Sequence, residues 1–164
     1  MKSRPELPGP EHDLNLHAKA WLAFGIGPQR DLPALAPLRV PLSEARLALV
    51  TTGGFVPPGG EPFETGKLGD TSYREIPTDI DVESLQIFHP HYDIEVARED
   101  INTLFPLPLG RELVDEGFVG GLAATHFSFM GYIPVTRKLE KDSAPQVARR
   151  LKQEEVDAVL LTPA

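Results

Sequence analysis

The feature that most limits the fold is a helix–strand unit over residues 143–161. Ala144, Val147, Ala148 and Leu151 recur at i, i+3, i+4 and i+7, the apolar stripe of an amphipathic helix. Ser143 followed by Gln146 reads as a capping box, and Pro145 falls in the first turn, where its missing N–H costs nothing. Arg149, Arg150 and Lys152 lie towards the helix's C-terminal end, the favourable side of its dipole. Residues 156–161 follow as a strand, apolar without alternation after Asp157, as expected of a strand covered on both faces. An earlier run, 45–51, suits a second buried strand bounded by Gly53 and Gly54. This strand–helix–strand rhythm predicts one α/β domain with a mainly parallel sheet and flanking helices. A chain of 164 residues is the right size for one such core.

The remaining segments are less regular. Seven prolines between Pro5 and Pro41 leave no sustained period, so residues 1–44 read as an irregular, Pro-rich N-terminal arm with a short helix around 17–24. The α/β domain then occupies 45–164. Residues 55–69 hold three prolines and four glycines and read as a loop. Residues 85–89 read as a strand ending at Pro90, 109–116 as a helix stopped by Gly117, and 118–123 as a short strand weakened by two glycines.

Composition removes several functional classes. Sixteen basic against 24 acidic residues give a net charge of −8. Between Glu75 and Asp100 eight acidic residues face one arginine, the wrong sign for nucleic acid or an anionic membrane surface. No apolar run is long enough to span a bilayer, and the first residues lack the apolar core of a secretory signal, so a cytoplasmic protein is expected. Cysteine is absent, which excludes disulfide scaffolds, thiolate metal sites and cysteine nucleophiles within these residues.

The residues able to carry chemistry are few. His89, His91 and Asp93 lie in a His-Pro-His-Tyr-Asp run after a strand, where alternate residues share a face. His126 would supply a third nitrogen for a zinc or iron site with His89 and His91, although histidines that merely fix a loop are the plainer reading. Arg98, Asp100 and Asn102 form a polar cluster in which Asp100 suits an N-cap and Asn102 can bond its own backbone; alternatively, Arg98 and Asp100 line the acidic cleft beside His91. Arg74 offers a bidentate carboxylate site, with a surface Arg74–Glu75 pair as the plainer reading. The glycines at 53 and 54 lack the spacing of a dinucleotide loop, and no Gly-x-Ser-x-Gly elbow is present.

Seven segments, in order, resemble the selenoprotein B family of the glycine, sarcosine, betaine and D-proline reductases. They are 49–54, Gly69-Asp70-Thr71-Ser72-Tyr73-Arg74-Glu75-Ile76-Pro77, 89–93, 100–106, Arg111-Glu112-Leu113, 121–132 and 156–164. The short N-terminal region looks more like the small D-proline reductase selenoprotein subunit than the longer glycine reductase component. The resemblance implies an oxidoreductase subunit that reductively cleaves a C–N bond of a small amino-acid-like substrate, with a disulfide as final acceptor. It implies a partner subunit carrying a pyruvoyl group, or a homo-oligomer, and a selenocysteine or cysteine directly after the strand matching 156–164. Neither residue is present, so the expectation is a frame interrupted at a selenocysteine codon just after Ala164, a chain inactive alone, and an exposed apolar face on the last strand. The alternative is a redox-dead module that binds a ligand or partner through the 89–93 pocket.

Overall fold

A computed structural model describes residues 36–66, 69–89, 92 and 94–164. Most of the Pro-rich arm, including the helix expected around 17–24, lies outside the described residues, as do His91 and Asp93. Pro37–Ala164 cluster as one unit.

The elements in chain order are β1 (Arg46–Thr51), β2 (Phe55–Val56), β3 (Tyr73–Pro77), β4 (Gln86–Ile87), α1 (Ile94–Glu99), α2 (Leu107–Asp115), β5 (Gly121–Leu122), β6 (Thr125–Phe129), α3 (Ala144–Gln153) and β7 (Ala158–Thr162). The class is the expected one, α/β with a mainly parallel sheet. β1 is central: it runs parallel to β7 along one edge, from Leu47↔Ala158 to Thr51↔Thr162. Along its other edge it runs parallel to β5 and then β6. β3 closes the far side, antiparallel to β6. β2 and β4 form a separate two-stranded ribbon.

Alternation along β1 explains the layers. Leu49 packs with Phe55, Ile76, Ala97, Phe105 and Leu107, the face covered by α1 and α2. Its neighbour Val50 points the other way and packs with Phe127, Phe129, Val147 and Leu151, the face covered by α3. Phe55, Phe105 and Phe127 are fully buried, each stabilising the fold by about 2–3 kcal/mol on area grounds.

The edge of β1 that pairs first with β5 and then with β6 contains a break. Two residues of β1 separate Leu47 from Val50, whereas four separate their partners Leu122 and Phe127. Such a bulge leaves ladder groups unpaired unless something else satisfies them. Here Leu49 N donates to His126 Nδ1 (3.1 Å), Thr125 N to Glu154 Oε2 (3.0 Å), and Thr78 N to Ala124 O (2.9 Å).

Several sequence expectations need correction. Ser143 does not cap α3: a π-helical turn, Leu139–Ser143, runs straight into the helix, and the Ser143 hydroxyl bonds Thr71 O instead. The apolar stripe is narrower than its spacing suggests, since Val147 is buried and Leu151 half-buried while Ala144 and Ala148 are exposed. Phe55 and Val56, expected in a loop, form β2 because their buried side chains seat them against β4. The strand expected at 118–123 shrinks to Gly121–Leu122, and β3, α1 and β6 were not anticipated as elements. β7 forms where expected, but Val159, Leu160 and Leu161 are exposed rather than covered.

Candidate functional site

The carboxyl ends of β1, β6 and β7 converge. The hydroxyls of Thr51 and Thr162 both donate to Leu104 O, at 2.8 and 2.6 Å, fixing the two strand ends to the turn after Asp100. Beyond β1 the chain turns through Gly54, whose φ of +72° is strained for any other residue. A Cβ there would come within 2.5 Å of Phe88 O. Gly54 N donates to Phe129 O (2.9 Å) and Gly54 O accepts from Phe88 N (2.8 Å), which brings His89 over the strand ends.

Two contacts then orient His89. Its ring lies 4.5 Å, centroid to centroid, from that of Tyr92, and the Tyr92 hydroxyl donates to Gly53 O at 2.9 Å. Burial pushes the Tyr92 phenol up to about 12, so it remains a donor at neutral pH. On the other side stands Gly131, at φ +90°. A Cβ on Gly131 would lie 2.7 Å from Thr52 O and 3.0 Å from His89 Nε2, so the imidazole edge rests against a backbone that tolerates only glycine. Thr52 Oγ1 accepts from Ala164 N at 2.8 Å. Thr52, His89, Tyr92, Gly131 and Ala164 thus meet at one place. Carboxyl ends of parallel strands are where α/β sheets hold ligands, and an imidazole there is suited to holding or moving a proton.

The other residues singled out from the sequence are engaged elsewhere. His126 is fully buried in the β5–β6 break, its Nδ1 accepting from Leu49 N and its Nε2 lying 3.2 Å from Thr78 Oγ1. Burial lowers its pKa to about 4, with Glu154 pulling up and Arg111 pushing down, so the ring is neutral near pH 7. With both nitrogens occupied by the fold, His126 does not join a metal set with His89. Among the described residues no group of three or more His, Cys, Asp or Glu is placed to hold a metal ion.

Arg74 is neither a free carboxylate binder nor paired with Glu75. It stacks over Phe63 at 4.2 Å and donates to Glu61 O, Pro62 O, Ser72 Oγ and Tyr73 O, holding the loop before β3. Glu75 instead faces Arg150 at 3.5 Å. Burial would raise the Asp70 carboxyl, but hydrogen bonds from Ser72 and Glu64 and the nearby Arg74 outweigh it and hold the group below its ordinary value.

Asp100 caps the turn Ile101–Thr103, accepting from Asn102 N and Nδ2, and Asn102 Oδ1 accepts from Leu109 N at the start of α2. Arg98 pairs with Glu95 one helical turn back. Arg98 and Asp100 do border a groove of about 550 Å³ with Glu83, Glu99, Val82 and Ile101. Tyr92, Thr52 and Gly131 were not singled out as site residues. Tyr92 sat inside the His-Pro-His-Tyr-Asp run, and its aromatic ring next to a histidine was the available signal.

Fold and site define an α/β domain with His89 and Tyr92 gathered at the carboxyl ends of its parallel strands. The chain belongs to the glycine/sarcosine/betaine reductase selenoprotein B family, whose model matches residues 26–164. It is 38% identical over 130 residues to the D-proline reductase subunit gamma of Acetoanaerobium sticklandii, covering 79% of this chain and 53% of that protein. It is 34% identical over 125 residues to the glycine reductase complex component B subunit gamma of Symbiobacterium thermophilum (74% and 29% covered). Against the subunit of the same description from Carboxydothermus hydrogenoformans it is 32% identical over 143 residues (80% and 32%). The chain therefore spans about half, or less, of the length of these relatives. No solved structure matches it significantly. Among the described residues no helix is long and apolar enough to cross a membrane.

Proposed function

We propose that this chain forms part of a reductase subunit that cleaves a C–N bond of an amino-acid-like substrate of the glycine, sarcosine, betaine or D-proline type, together with a pyruvoyl-bearing partner. Membership of a family of reductase subunits supports the reading. The observation that carries it is the convergence of Thr52, His89, Tyr92 and Gly131 on the carboxyl ends of β1, β6 and β7.

In such a reaction a selenol or thiol would supply the nucleophile and, with a neighbouring thiol, the two electrons that cleave the C–N bond, ending as a Se–S or disulfide bond that an external dithiol reduces. These 164 residues contain no cysteine, so that group does not fit onto any residue present here. What the chain's own residues offer is positioning and proton handling. His89 brings an imidazole, a group able to hold or move a proton, to the strand ends, Tyr92 packs against its ring, and Gly131 lets the β6 end approach it closely. Asp100 and Asn102 contribute by holding the Leu104 turn to which the β1 and β7 ends are tied.

The test is an assay of the purified chain, alone and mixed with the purified pyruvoyl-bearing subunit of a D-proline reductase, for dithiol-dependent loss of D-proline, glycine, sarcosine and betaine. The expected result is a stable complex with that subunit and no turnover by the chain alone. Failure to bind it, or turnover by the chain alone, contradicts the reading.

A further inference from the structure

The two margins of the main sheet are built differently. β3 carries Arg74, Glu75 and Pro77, charges and a proline of the kind that discourage further strand pairing. β7 reads Ala-Val-Leu-Leu-Thr, with no charge, proline or bulge among its five residues. Its composition is that of an interior strand, yet among the described residues it stands at the margin, with Val159, Leu160 and Leu161 exposed at 39%, 43% and 69%. Those three side chains alternate in direction, so both faces of the strand are open.

The backbone is equally one-sided. Thr162 O accepts from Thr52 N, which turns Thr162, and by alternation Leu160 and Ala158, towards β1. Val159 and Leu161 therefore aim their N–H and C=O groups outward, away from β1. This is an edge ready for another strand, flanked above and below by apolar side chains that need a covering layer.

The relatives indicate the occupant. The matched region is 53% of one reductase subunit and 29–32% of two others, so a family subunit holds at least nearly as much chain again outside it. We infer that β7 is the docking surface for that remaining part of the family subunit: a strand of it pairs with Val159 and Leu161, and its covering layer packs on Val159, Leu160 and Leu161. The inference rests on family membership and holds whether or not the reductase reading does.

The test combines the full 164-residue chain with the part of the A. sticklandii D-proline reductase subunit gamma that it does not match, as two co-expressed polypeptides and as a single-chain fusion. Amide hydrogen exchange is read at Val159 and Leu161. Fast exchange in the chain alone, slowed about 100-fold in the complex or the fusion, is expected. Leu161→Glu should weaken the complex at least about 10-fold while leaving the denaturation midpoint of the isolated chain unchanged. Three results overturn the inference. One is Val159 and Leu161 amides that stay fast in the fusion. Another is their protection in the chain alone by a homodimer that Leu161→Glu dissolves, which assigns the edge to a second copy. The third is a complex indifferent to Leu161→Glu.

Discussion

His126 and His89 are held in opposite ways, one within a strand of the main sheet and the other beyond the strand ends. His126 lies inside it, where the bulge between β5 and β6 strips Leu49 N of a ladder partner, and its ring stands in for a backbone carbonyl. Since Nδ1 accepts that bond, the ring proton resides on Nε2, facing Thr78 Oγ1. His89 lies past the strand ends, half-buried, held by an aromatic neighbour and a glycine rather than by the ladder. The residue type is the same; what differs is the setting, a buried position inside the ladder for His126 and a half-buried one beyond the strand ends for His89.

That contrast can be broken most severely at His126. Its replacement by alanine leaves a buried N–H without an acceptor and opens a cavity beside Phe105. A loss of about 4 kcal/mol in chemical denaturation is expected, with part of it recovered by His126→Asn. Acid acts on the same residue. Its folded pKa of about 4 lies below the ordinary 6.5, so the unfolded chain binds the extra proton and stability falls as pH drops. Stability is complete above about pH 6.5 and on the order of 3 kcal/mol is lost by pH 4. A His126→Asn chain should lose that slope; an unchanged pH dependence would place the titration elsewhere.

At the other pole the effects on stability are smaller. Gly131→Ala forces a Cβ against Thr52 O and His89 Nε2 at a positive φ, and a destabilisation of about 2 kcal/mol with displaced His89 ring signals in NMR is expected. Tyr92→Phe removes one hydrogen bond to Gly53 O and should cost about 1 kcal/mol, while broadening the His89 resonances and leaving those of His126 untouched. If Tyr92→Phe instead perturbed His126, the two imidazoles would not be independent.

The sequence made the periodic pieces legible. β1, α3 and β7 follow from apolar patterning that is local to each segment, and together they define the class. β3 and β6 were not legible as strands because their pairing is non-local: Ile76 and His126 are buried by each other's strands, and neither run alternates clearly by itself. The capping box at Ser143 failed because a hydroxyl can serve either a helix end or a distant carbonyl, and Thr71 O won. Among the site residues, the position of His89 followed from a strand end next to a His-rich run. The burial of His126 did not, because the bulge that consumes its Nδ1 exists only once β1 and β6 are aligned.

The division of labour between the two ends of the sheet is tested most directly by NMR of the histidine ring nitrogens as purified pyruvoyl-bearing D-proline reductase subunit is added. His89 and Tyr92 signals are expected to shift and saturate with that partner, while His126 keeps its neutral, Nε2-protonated signature throughout. A partner-dependent change at His126 with His89 unmoved would contradict that division.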